Sequence, residues 1–139
     1  MSIIDHVTLA VGDYKRAKVF YEKALAPLGI KPVRDFGQAC GFGRNEKPEF
    51  WIGSGPTTFQ TPEHLRAITP NHVAFAARSR GEVEAFYRAA LDAGGKEYGA
   101  PGVRAHYHPD YYGAFVLDLD GHNIEAVFHG AWAPALSMP

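Results

Sequence analysis

The sequence predicts an α+β chain built from two consecutive βαβββ modules, and three observations carry that expectation. The first is a partial internal repeat at an offset of 66 residues: His6-Val7 returns as His72-Val73, Ala10 as Ala76, Phe20-Tyr21 as Phe86-Tyr87, Ala24-Leu25 as Ala90-Leu91 and Gly29 as Gly95. The second is the switch, in each copy, from strand-like alternation to helical spacing of apolar residues. The third is a run of short apolar segments separated by turn residues after each helix, ending in a hairpin around Asp120-Gly121.

Residues 2–11 are rich in Ile, Val, Thr and Leu and read as a half-buried strand on which His6, Thr8 and Ala10 share a face. Gly12 breaks it, and Asp13 caps the following helix by accepting from amides of its first turn. Ala17, Phe20, Tyr21, Ala24, Leu25 and Leu28 recur at helical spacing until Pro27 and Gly29 end the run. Three short strands follow, over residues 30–36, 38–44 and 49–52, the last two joined by the turn Asn45-Glu46-Lys47-Pro48. Residues 55–69 form a linker in which residues 63–67 are either loop or a short helix. The second module repeats the order, with a strand at 71–77 and a helix at about 81–93 that Gly94-Gly95 stops. A Gly/Pro/His/Tyr segment, 96–111, contains one irregular strand at most. Residues 112–119 and 123–128 make the closing hairpin, and the tail, 131–139, is a cover or an arm. The chain is thus one domain of 139 residues: module one to about 54, module two from about 70 to 130.

Fourteen basic and fifteen acidic residues leave a formal charge of −1, so no basic field collects nucleic acid. The single cysteine, Cys40, closes no internal disulfide and lacks a cationic neighbour that would make it a nucleophile. No apolar run approaches the roughly 20 residues that cross a bilayer. The N-terminus lacks a signal-peptide pattern, which makes the cytoplasm the expected location. Seven His, seven Tyr, nine Phe and two Trp direct attention instead to a small-molecule site.

The segments IDHVTLAV, KVFYEKALAPLG, PNHVAFAA, EAFYRAALDAGG and YGAFVLDLDGHNIEAVFH together resemble the vicinal oxygen chelate superfamily. That superfamily includes glyoxalase I, fosfomycin- and bleomycin-resistance proteins and extradiol dioxygenases. The resemblance covers nearly the whole chain. It implies curved mixed sheets around a cleft with a divalent metal at its floor, the ligands being His6, His72 and Glu125. Two imidazoles and one carboxylate suit Zn, Ni, Mn or Fe and leave open positions for substrate. The expectation is that the duplicated halves face each other, so that any pocket between them receives both histidines. In the glyoxalase pattern a second glutamate supplies a fourth ligand. Aligning the turn after Arg44 with the turn after Asp118 sets Trp51 opposite Glu125, and Glu49 serves only if the register slips by two. With Trp51 in the cleft, the set is closer to three-ligand sites.

The segment from Arg104 to Tyr112 concentrates further chemistry. If extended, it puts His106 and His108 on one face and Tyr107 on the other. Its functional reading makes His106 or His108 a general acid or base, with Tyr107, Tyr111 or Tyr112 donating to a developing oxyanion; its bland reading is a packed surface loop. Arg104 pairs either an anionic substrate or Asp110 or Asp118. His122 and Asn123 are expected to serve the turn, and no spacing argument attaches to His64 or His129. Three functions follow. One is a metal-dependent lyase, isomerase or dioxygenase on a small oxygen-rich molecule. Another is a metal-free small-molecule binding protein of bleomycin-resistance type. The third is a vestigial domain whose dimer interface is its function. A homodimer is expected, with sites complete in each chain or shared across the interface.

Overall fold

Each module opens with a short strand that passes straight into a capped helix. In the computed structural model, which describes residues 3–55, 61–63, 67–68 and 70–130, β1 is Val7–Ala10 and α1 is Tyr14–Leu25. Asp13 caps α1 by accepting from the Arg16 amide at 3.1 Å, the role its position predicts. A single 3-10 turn, Ala26–Leu28, ends at Gly29, whose φ of 76° a side chain would oppose. The strands β2 (Lys31–Asp35), β3 (Ala39–Gly43) and β4 (Phe50–Gly53) complete module one.

Module two repeats the order with β5 (His72–Ala76), α2 (Arg80–Asp92), β6 (Lys96–Val103), β7 (Tyr112–Leu117) and β8 (Asn123–Phe128). Ser79 Oγ caps α2 by accepting from the Glu82 amide at 3.1 Å. The sheets run β1-β4-β3-β2 and β5-β8-β7-β6, with the outer pair parallel and the rest antiparallel in each. The first strand is shorter than its composition suggests, so His6 precedes it. Residues 104–111 form turns rather than an extended strand, tied by bonds from the Arg104 amide to Tyr111 O and from the Tyr111 amide to His108 O. His64, most of the linker and the tail lie outside the described residues.

Both helices lie on one face of their sheet and pack against each other. Phe20, Tyr21, Phe42 and Ile52 of module one thereby share a single core with Val83, Phe86, Val116 and Ile124 of module two. Each such fully buried side chain contributes about 1.5–3 kcal/mol of transfer free energy. The seam is also hydrogen-bonded. Tyr21 donates to Asp118, Gly12 donates to Asp120 at 3.0 Å, and Arg44 donates to Ala76 O.

This packing corrects the face-to-face expectation. The modules are joined through their helix-bearing faces, and on the opposite, open faces Thr8, Phe36, His72 and Ala74 remain exposed. The cleft between the modules, about 330 Å³, is lined by apolar residues such as Val7, Phe50, Val73 and Phe75, with Asp5 and Glu49 at its rim. Neither His6 nor His72 lines it.

Candidate functional site

In module two, strand register sets Glu125 on the open face. Glu125 sits between Ala74 of β5 and Phe115 of β7, and His72 opposes Asn123 one step along. Residues Ile124 and Ala126 point to the core, so the alternation that buries them aims Glu125 the other way. Glu125 is nevertheless only 1% exposed, because its neighbours close over it. His72 Nε2 stands 3.0 Å from Oε1, and the Tyr111 hydroxyl donates to Oε2. Burial pushes the Glu125 carboxyl above its ordinary pKa, opposed by Tyr111 and His72. The same burial, with Glu125 alongside, pushes the Tyr111 phenol up.

The two nitrogens of His72 have distinct tasks. Nδ1 lies 3.0 Å from the Asn123 carbonyl oxygen, which only accepts, so Nδ1 carries the hydrogen. A neutral ring then aims its Nε2 lone pair at a carboxylate oxygen, and two acceptors 3.0 Å apart require a cation between or beside them: a proton or a metal. His122 provides the contrast. It is fully buried, accepts from the Asn71 amide at Nδ1 (2.9 Å) and donates from Nε2 to Ala10 O (2.7 Å). That ring is satisfied while neutral and bridges the two modules. His122 also serves the turn through its bonds with Asp118, whereas the bridge has no signature in the sequence because its partners are distant in the chain. Asn123 Oδ1 is buried without a partner among the described residues.

His6, the repeat counterpart of His72, is held in the same manner. Its Nδ1 lies 2.8 Å from Asp5 Oδ1, and Asp5 is in turn 3.1 Å from Lys47 Nζ. The Asp5 contact commits Nδ1 and leaves Nε2 as the other ring nitrogen, the arrangement that an oxygen partner gives to metal-binding imidazoles. Convergence within one chain does not occur. Among the described residues, no group of three or more His, Cys, Asp or Glu side chains stands close enough to hold a metal. One chain therefore holds two separate pairs of ligand-type side chains, His72 with Glu125 and His6 with Asp5.

Trp51 pairs with Thr8 across β1 and with Gly41 across β3, as Glu125 pairs with Ala74 and Phe115. Trp51 thus occupies the position in module one that Glu125 holds in module two. Glu49 corresponds to Asn123, is exposed and lines the intermodule cleft, so the register does not slip by two.

The turn segment divides. Arg104 places its guanidinium 5.4 Å from the centre of the Phe115 ring and donates to Ala100 O at 2.8 Å, pairing with neither Asp110 nor Asp118. Phe115 in turn stacks near His72, 6.1 Å between centroids. Tyr107 packs between His106 (4.1 Å) and Tyr111 (4.7 Å) and is exposed, as is His106. His108 accepts from the Asp110 amide at Nδ1, so the hydrogen on its Nε2 is shared with His129 Nδ1 at 2.7 Å. Burial, then the neighbouring His108, lowers the His129 pKa. Tyr112 belongs elsewhere: it lies on the helix side, donates to Glu84 at 2.7 Å and carries Arg80 over its ring. Strand parity separates it from Tyr111, which precedes β7.

No curated protein matches the chain in sequence. Among solved structures, a glyoxalase/bleomycin resistance protein from Albidiferax ferrireducens T118 is 30% identical, with a TM-score of 0.74 over 91% of this chain and 98% of that one. The lactoylglutathione lyase of Agrobacterium tumefaciens (19% identity, TM-score 0.65, 95% and 97% covered) and TioX of Micromonospora sp. ML1 (15%, 0.66, 92% and 99%) share the fold. The sequence model of one family matches residues 3–126, and on that match the chain belongs to the Glyoxalase/Bleomycin resistance protein/Dioxygenase superfamily.

Proposed function

We propose that the protein is a divalent-metal-dependent enzyme acting on a small oxygen-rich molecule, with each site assembled from two copies of the chain. The observation that carries this reading is the pair of lone-pair donors, His72 Nε2 and Glu125 Oε1, 3.0 Å apart on a sheet face with Nδ1 committed to a carbonyl. His6 of a second copy, held by Asp5, supplies the third ligand. Two imidazoles and a carboxylate fit Zn, Ni, Mn or Fe. Bound there, such an ion supplies Lewis-acid polarisation of adjacent substrate oxygens.

The remaining work falls to the chain's own residues. Tyr111 orients Glu125 by donating to Oε2. Arg104, beside Phe115 on the same face, binds an anionic part of the substrate. His106 is the exposed imidazole that exchanges a proton with substrate, whereas His108 is committed to Asp110 and His129. Lyase, isomerase and dioxygenase chemistry all begin from a chelated substrate.

Elemental analysis of purified protein tests the reading. About one divalent ion per chain is expected, lost in His72→Ala, Glu125→Gln and His6→Ala. After subunit exchange, an equal mixture of His6→Ala and His72→Ala chains should regain about a quarter of the sites, because about half the dimers are heterodimers and each of these keeps one of its two sets. Full occupancy in any single variant refutes the shared site. One observation favours a second reading, metal-free ligand binding: Trp51 stands where a fourth, carboxylate ligand would. That reading predicts no bound metal and ligand affinity indifferent to chelator.

A further inference from the structure

The open face of module one carries an arrangement that metal binding does not use. Trp51 lies flat across Gly41, where an added Cβ would fall 2.8 Å from Trp51 Cε2 and 2.7 Å from Pro48 Cβ. Phe36, at the end of β2, stacks against the indole with centroids 5.9 Å apart and planes 13° from parallel. Phe36 is 68% exposed. An aromatic ring left so open beside a second one, with planes aligned, forms a plate on which a further flat ring stacks.

Beside this plate stand cations. Arg34 opposes Gly41 and Lys31 opposes Gly43, so both project from β2 on the same face as Trp51. With Val33 and residues 44–47, the two line a cleft of about 950 Å³. Neither has an ion-pair partner among the described residues. The other two cations of that cleft are engaged, Lys47 with Asp5 and Arg44 with backbone carbonyls. Glu46 shares the rim, but Arg34 is the residue in register with the glycine beneath the indole.

We infer that this face seats the conjugated ring of a small anionic molecule, the ring on Phe36 and Trp51 and the anionic group at Arg34 and Lys31. As the substrate seat of the metal site it rests on the reading above, since Trp51 holds in module one the position that Glu125 holds in module two. The seat itself lies within one chain and needs no metal.

Calorimetric titration with 2-naphthoate in the presence of EDTA tests it. Binding is expected, weakened about ten-fold in Phe36→Ala and about three-fold in Arg34→Gln, the sizes that one aromatic contact and one exposed charge contact support. Neutral 2-naphthalenemethanol should bind wild type and Arg34→Gln alike, and cyclohexanecarboxylate should bind at least ten-fold more weakly than 2-naphthoate. Absence of 2-naphthoate binding, or equal affinity in wild type and both variants, overturns the seat. His72→Ala separates the two ideas: it should lose metal and keep 2-naphthoate affinity.

Discussion

Positions 51 and 125 occupy the same place in two copies of one module, on the last strand beside the first, yet they have opposite chemistry. Around Glu125, module two sets His72, Tyr111, Phe115 and Arg104, so the buried carboxylate meets the Tyr111 hydroxyl on one oxygen and the His72 imidazole on the other. Around Trp51, module one sets Gly41, Phe36 and Arg34. The opposing residue on the neighbouring strand follows suit: Phe115 stands beside Glu125, whereas Gly41 leaves room for an indole. A duplicated scaffold keeps the backbone constant while one face buries a carboxylate beside an imidazole and the other stacks two aromatic rings. If two copies bring unlike faces together, each completed cleft contains one of each.

The contacts that the two modules share are the most costly to remove. His122→Ala strands the Asn71 amide and the Ala10 carbonyl at the seam, and urea denaturation should report a loss of about 3 kcal/mol. A loss below 1 kcal/mol would mean the bridge is replaced by solvent. Gly41→Ala acts on module one alone. The new methyl collides with Trp51 and Pro48, so about 1–3 kcal/mol should be lost together with the 2-naphthoate seat, while metal content is retained. Trp51→Glu sharpens the comparison by making the two faces alike: a second carboxylate at the Glu125 position should tighten divalent-metal binding about ten-fold in a zinc titration.

The smallest effect concerns Glu82 at the start of α2, whose carboxyl Arg78 holds below its ordinary pKa. A depressed carboxyl means the unfolded chain binds more protons between the two pKa values. The stabilisation is therefore complete above the unfolded value and lost as pH falls through the folded one. Glu82→Gln should lower stability by about 0.5 kcal/mol at neutral pH and leave it unchanged in strong acid.

Much of this was legible in the chain. The repeat from His6-Val7 to His72-Val73 gives the two modules, and apolar spacing gives the helix faces that Phe20, Tyr21 and Phe86 bury. Aligning the two last strands sets Trp51 against Glu125 because strand register follows from a shared turn position. Illegible were contacts between residues far apart in sequence and out of repeat phase. His122 looks like a turn residue until Ala10 is seen beside it. Tyr111 and Tyr112 look equivalent until β7 begins between them and sends one ring to Glu125 and the other to α2.

The module, its duplication and the identity of the residues at equivalent positions follow from the order of residues alone, because periodicity and repeat phase are local properties of the chain. The tertiary fold alone joins the modules through their helices and keeps His6 and His72 from gathering with Glu125 round one ion within a chain. The reason is that two amphipathic helices with apolar residues to bury gain more by sharing one core than the half-polar sheet faces gain by meeting each other within one chain.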